Sequence, residues 1–200
     1  MRLWTIQDEE VYEAIMKTGV YVYRCDFSKS YMQDWKPQYD WIVSQMIDRI
    51  GDKPIEVDYP VWAWYQKNGK RKKPDLRWER WHCGWKGERF ACLEIEISDG
   101  EVLLSDFDAW SGILNDALLS DTEEEDEELE RKYNSLSGQE RQKMKHENWE
   151  GVFDITPFEN DWTIRGDTIQ ATFWELRKDQ IISVRMFSGS TPRPGYLLAE

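Results

Sequence analysis

The residue types able to do chemistry are concentrated between Val61 and His82. Val61-Trp62-Ala63-Trp64-Tyr65-Gln66 is expected to form a strand with Trp62 and Trp64 on one face. Lys67-Asn68-Gly69-Lys70-Arg71-Lys72-Lys73 follows as a turn carrying five positive charges. Arg77-Trp78-Glu79-Arg80-Trp81-His82 then interleaves arginine with tryptophan. Arginine pairs bidentately with phosphate and indoles stack on bases, so the pattern describes a site for an anionic, aromatic ligand. The competing description is a solvated turn whose lysines offset nearby carboxylates.

Other reactive groups are sparse. The chain has no Gly-x-x-x-x-Gly-Lys-Ser/Thr loop, no Gly-x-Gly-x-x-Gly pattern and no Gly-x-Ser-x-Gly elbow. Its two histidines, His82 and His146, are too few and too separated for a zinc site, and no metal is expected. His82 beside Cys83 reads as a surface histidine next to a buried thiol rather than a base and nucleophile. Asp106 is expected to cap a helix, a role worth about 1 kcal/mol. Glu175, the other carboxylate of interest, follows Gln170 and Thr172 on a strand that is otherwise apolar, and it reads equally as the polar face of an edge strand.

The elements that position these groups are read from periodicity and caps. Leu3 to Ile6 is an expected strand, with a helix from Glu9 to Lys17 capped by Asp8 and stopped by Gly19, and a returning strand from Val20 to Arg24. Pro37 opens a second helix that carries Trp41, Ile42, Met46 and Ile50 at helical spacing. Phe90 to Trp110 contains the clearest local pattern. Apolar residues alternate with Glu94 and Glu96, Ser98-Asp99-Gly100 supplies a turn, and Val102 to Leu104 resumes the apolar run, so a β-hairpin is expected, followed by a helix capped by Ser105 or Asp106. Seven of the eight residues from Glu123 to Glu130 are acidic, and Ser137-Gly138-Gln139-Glu140 has the form of a capping box, so residues 120–150 read as an acidic helical insertion. Strands are expected over Thr168 to Leu176 and Ile181 to Phe187, and the Pro192 and Pro194 tail is expected along the surface.

Composition bounds the class. A chain of 200 residues with 40% hydrophobic and 32% charged content can bury a core. The expected fold is a single α+β domain over residues 1–200, with a mixed, twisted β-sheet, flanking helices and the acidic insertion. Twelve tryptophans exceed what packing alone requires, so some are expected in a cleft or interface. The net charge of −13 disfavours non-specific binding to nucleic acid or anionic lipid, so any nucleic-acid contact must be local. No signal peptide and no apolar run of about 20 residues is visible, so a cytoplasmic protein without a membrane partner is expected. Cys25, Cys83 and Cys92 are read as reduced thiols.

Four segments carry a resemblance. Leu3-Trp4-Thr5-Ile6-Gln7, Pro60-Val61-Trp62-Ala63-Trp64-Tyr65, Leu104-Ser105-Asp106-Phe107 with Trp110, and Gln170-Ala171-Thr172-Phe173-Trp174 together resemble an uncharacterised bacterial domain-of-unknown-function family, met also in mobile elements. That family brings no established activity. A second, fold-level resemblance is to ADP-ribosyltransferases, particularly their DNA-modifying toxin branch. Leu3 to Gly19 is similar to the opening of that fold, Val102 to Asp106 to its middle, and Gln170-Ala171-Thr172 to its final Gln-x-Glu motif. Trp4 stands where histidine or arginine would be expected, Thr172 stands where the catalytic glutamate would be, and Glu175 lies three residues further on. This resemblance implies NAD as the cofactor or substrate, with Gln170, Thr172 and Glu175 as the candidate catalytic residues.

The expected function is binding of a nucleotide-like or phosphorylated ligand in an aromatic and basic cleft, or local contact with nucleic acid. Trp4, Trp62, Trp64, Tyr65, Arg77, Arg80, Asp106 and Trp110 are the candidate ligand-binding residues. The alternatives are an ADP-ribosyltransferase-like enzyme acting on NAD and an acidic interaction or inhibitor protein.

Overall fold

The computed structural model describes residues 1–25 and 33–191. The expected surface path of Pro192 to Gly195 lies outside the described residues. In chain order the elements are β1 (Arg2–Asp8), α1 (Glu9–Thr18), β2 (Val20–Val22), α2 (Lys36–Ile50), β3 (Val61–Gln66), α3 (Leu76–Glu79), β4 (Arg89–Glu96), β5 (Leu103–Asp106), α4 (Phe107–Leu114), α5 (Glu123–Ser135), α6 (Gly138–Trp149), β6 (Phe158–Glu159), β7 (Ile164–Arg165), β8 (Ile169–Phe173), β9 (Glu175–Arg177) and β10 (Ile181–Ser188). The fold is of the α+β class. Its residues divide into two compact units, one from 1–21, 72–97 and 176 onward, the other from 22–71 and 98–175.

In the first unit β4 is the central strand. It runs antiparallel to β1, from Arg2 opposite Glu96 to Asp8 opposite Phe90, and antiparallel to β10 on its other edge. Ala91, Cys92, Leu93 and Ile95 are all buried, as a strand covered on both faces requires. Helix α1 ends where Gly19 adopts φ +89° and its N–H donates to the Ile15 carbonyl at 2.8 Å, the left-handed stop that the glycine foretells. Asp8, expected to cap α1, makes no side-chain cap bond.

In the second unit β8 is the central strand, antiparallel to β3 and to β5, and all five of its residues are buried. A core of Trp41, Ile42 and Met46 from α2, Trp110 and Ile113 from α4, Trp149 from α6, and Val57, Leu103, Val152 and Trp174 packs together. Aromatic edges interlock there, with Trp41 and Trp149 at 5.4 Å and Tyr39 and Trp110 at 5.8 Å, both T-shaped. The acidic run folds as the start of α5, whose Thr122 hydroxyl accepts from the Glu125 N–H at 3.1 Å, and Ser137 and Glu140 form the expected capping box of α6.

Two further expectations change. The turn at Ser98-Asp99-Gly100 does not close a hairpin, because β4 pairs with β1 and β10 whereas β5 pairs with β8. The strand pairs within each unit are antiparallel where a mixed sheet was expected: even where α4, α5 and α6 lie between β5 and β8, the chain comes back beside β5 antiparallel rather than as a parallel crossover. Among the described residues, no helix is long and apolar enough to cross a membrane. The three cysteines are free thiols, and burial raises the pKa of Cys92.

His146 on α6 gives the second unit a pH dependence. Its ring lies 5.5 Å from that of Trp149, and burial, then the charge of Lys145, lowers its pKa below the ordinary value near 6.5. The folded state therefore favours the neutral ring. The stability this provides is fully present above the unfolded-state pKa and is lost as pH falls through the lower folded-state pKa. Chemical denaturation at descending pH from neutrality should show falling stability, and His146→Gln should flatten that slope.

Candidate functional site

The strand β3 carries its tryptophans as the alternation requires, and both meet α4. Trp62 lies 5.1 Å from Trp110 and 6.2 Å from Tyr39, partly buried against the core. Trp64 lies 5.2 Å from Phe107, one helical turn before Trp110. The chain's own cations cover the aromatic end of the strand. Lys67 Nζ sits 4.9 Å above the Trp64 ring and the Arg71 guanidinium 4.0 Å above Tyr65. The turn that returns them uses Asn68 at φ +50° and Gly69 at φ +66°. It is tied down by Gly69 N–H donating to the Asp167 carbonyl at 2.8 Å and Asn68 N–H to the Thr168 hydroxyl at 3.2 Å.

Beside Trp64, the register of β3, β8 and β5 places Gln170 directly opposite Trp64 on one side and opposite Ser105 on the other. Directly opposed residues share a face, so the indole, the amide and the hydroxyl form a row. Gln170 is 5% exposed, and neither its Nε2 nor the Oγ of the buried Ser105 has a hydrogen-bond partner among the described residues. An orphaned buried donor costs about 1–3 kcal/mol, and two in adjacent positions are uncommon in a packed sheet. Ser105 was not among the candidates. Its place before Asp106 reads as part of the cap, and only the strand register, set by partners far apart in sequence, brings it to Gln170.

The other candidates divide. Thr172 is buried and its hydroxyl donates to the Leu103 carbonyl at 3.3 Å, a bond that ties β8 to β5. Glu175 lies on β9, beyond the break in the strand at Trp174. Asp106 does what a cap does and more. Its Oδ1 accepts from the Asp108 and Ala109 N–H groups at 3.0 Å, and its Oδ2 accepts from the Gly166 N–H at 2.7 Å. Trp4, Arg77 and Arg80 belong to the first unit, where Trp4 is buried on β1 opposite Glu94. Arg77 is held by Asp75, whose Oδ1 accepts from Arg77 Nε at 2.9 Å. That hydrogen bonding lowers the Asp75 pKa to about 2. Arg80 makes no ion pair among the described residues.

Two cavities of the second unit are lined otherwise. One of about 440 Å³ is bounded by Asp108, Asp121, Glu125 and Asp126 against the lone cation Arg165, itself paired with Asp121 and Asp154, so it repels a phosphorylated ligand. The other, about 490 Å³, lies between α2 and α6 and is lined by Gln45, Gln139, Gln142 and His146. No group of three or more His, Cys, Asp or Glu residues able to hold a metal ion occurs among the described residues.

No curated protein and no solved structure matches the chain. The family described as Domain of unknown function (DUF3841) matches residues 2–182, and the chain belongs to that family.

Proposed function

We propose that the second unit binds a nucleotide-like ligand at the row formed by Trp64, Gln170 and Ser105, with Lys67 and Arg71 meeting its phosphate. The observation that carries this reading is the pair of buried, unpartnered polar groups beside a half-buried indole. A base or carboxamide edge carries the acceptors that the Gln170 amide and the Ser105 hydroxyl lack. Stacking on Trp64 displaces the Lys67 ammonium from the ring. The displaced cation–π contact is worth about 0.5–1 kcal/mol, against about 1–3 kcal/mol for a stacked base. The balance favours the ligand, and the Lys67 ammonium, moved off the ring, then meets its phosphate.

The test separates function from packing. Gln170→Leu removes an unsatisfied buried donor, so stability is expected to hold or rise, by about 1 kcal/mol, while affinity for the ligand falls roughly tenfold. Titration of ADP and NAD, followed by tryptophan fluorescence and by the ligand-induced rise in melting temperature, reads both quantities. No response of the wild-type protein to either ligand overturns the proposal.

The same row favours a second reading, transfer chemistry on NAD, because Gln170 stands in the candidate catalytic segment with Thr172 and Glu175 downstream. Release of nicotinamide by the wild-type protein, abolished in Glu175→Gln, is its expected sign. Absence of release under conditions where NAD binds excludes it.

A further inference from the structure

The first unit displays a second aromatic and basic feature that the row on β8 does not use. Trp78, Trp81 and Trp85 are 69%, 53% and 40% exposed within eight residues. Burying an indole is worth several times what burying a single methylene is, so three exposed together are a costly arrangement for a surface without a partner. Arg80 stands between the first two and Lys86 follows the third, and neither makes an ion pair or side-chain hydrogen bond among the described residues. From Lys72 to Lys86 the chain carries five lysines and arginines and only two carboxylates. Those two are already committed: Glu79 is buried, and Asp75 is bound to Arg77. The segment is therefore locally cationic in a chain of net charge −13.

The backbone beneath these side chains is fixed. Asp75 caps the single turn of α3 by accepting from the Arg77 N–H at 3.1 Å, and Trp81 N–H closes onto the Trp78 carbonyl at 3.0 Å. Residues 189–191 then clamp the segment. Ser190 N–H donates to the Arg80 carbonyl at 2.6 Å, Lys86 N–H to the Thr191 carbonyl at 2.8 Å, and the Thr191 hydroxyl to the Trp81 carbonyl at 2.5 Å. A Cβ on Gly189 would stand 2.5 Å from the Trp85 carbonyl oxygen, so this approach depends on glycine. The indoles are thus presented from an ordered support, which lowers the entropy lost when a partner binds.

We propose that this face binds single-stranded nucleic acid, with Trp78, Trp81 and Trp85 stacking on bases and Arg80 and Lys86 meeting phosphates. Three stacking surfaces exceed what one mononucleotide occupies. Interleaving of indoles with cations matches a strand in which bases and phosphates alternate, whereas a membrane-surface helix segregates its apolar and basic faces. Helix α3, one turn long, has no such apolar face. A duplex hides its bases in the stack and offers this face only its phosphates.

The experiment is fluorescence anisotropy of labelled oligothymidylate and oligouridylate at several salt concentrations, with the matching duplex and anionic phospholipid vesicles as rivals. Salt-dependent binding of either single strand, well above that of the duplex, is expected. Trp78→Ala with Trp81→Ala should weaken it roughly tenfold or more, and Arg80→Ala should reduce the slope of log affinity against log salt by about one. Both sites are at the surface, so melting temperature should be unchanged in these variants. Trp64→Leu, in the other unit, should leave oligonucleotide binding intact, which separates this proposal from the nucleotide row on β8. Absence of binding to either strand, equal binding to the duplex, or binding to vesicles alone overturns it.

Discussion

Trp149→Ala is expected to destabilise the second unit by about 3–5 kcal/mol, the range for deleting a large aromatic from a packed core. Trp149 is 1% exposed, contacts Trp41 edge to face, and packs with Val152 and Ile113. It also holds the chain between α4 and α5, since its Nε1–H donates to the Ala117 carbonyl at 2.8 Å. Alanine leaves a void of indole size and an unpaired carbonyl. Trp149→Phe keeps most of the ring and loses the hydrogen bond, so its cost should be nearer 1–2 kcal/mol, roughly the worth of one buried polar partner plus a modest cavity. Thermal unfolding checks both, with a melting temperature lowered by roughly 10 °C in the alanine variant. A fall of only a degree or two would mean that α6 is not part of the cooperative core.

What could be read in advance follows the range over which each feature is determined. Asp106, Thr122, Ser137 and Gly19 act on backbone groups within four residues of themselves, and the helix ends at α4, α5, α6 and α1 stand where those residues place them. The turn at Ser98-Asp99-Gly100 is equally local, yet turn chemistry fixes only that the chain bends, not which strands pair on either side of it. The hairpin expectation failed for that reason. The tryptophans show the same limit from another direction. Trp62, Trp110 and Trp149 contribute to the core, whereas Trp78, Trp81 and Trp85 face solvent, although all six lie in segments of mixed apolar and charged residues. Which of them are covered depends on helices contributed from distant parts of the chain.

The candidate sites divide along the same line. The interleaving of arginine and tryptophan from Arg77 to Trp81 is legible residue by residue, and the structure adds only that Asp75 occupies Arg77 and leaves Arg80 uncommitted. The row of Trp64, Gln170 and Ser105 joins three segments separated by tens of residues, and a shift of one residue in either pairing would turn each side chain to the opposite face. Periodicity could show that Trp64 and Gln170 lay on strands. It could not show that they were neighbours, or that two of the three polar and aromatic groups would be left without partners.

Asp106→Ala is expected to cost about 2–4 kcal/mol, more than a helix cap alone, because the carboxylate has two separate tasks. One oxygen caps α4 through the Asp108 and Ala109 N–H groups, and the other accepts from the buried Gly166 N–H. Gly166 stands at φ +75°, and a Cβ there would meet the Ile155 carbonyl oxygen at 2.7 Å, so the segment has little freedom to move its N–H toward another acceptor. Asp106→Asn distinguishes the two tasks. The amide oxygen can keep the cap, but its NH₂ then faces the Gly166 donor, so the loss should fall between those of wild type and alanine. Ligand titrations are the second readout: affinity for nucleotide should be nearly unchanged in Asp106→Asn once the folded fraction is taken into account. A variant that keeps full stability and loses binding would instead make Asp106 a ligand contact. A loss of about 1 kcal/mol in Asp106→Ala would mean that water or another group satisfies Gly166 in its place.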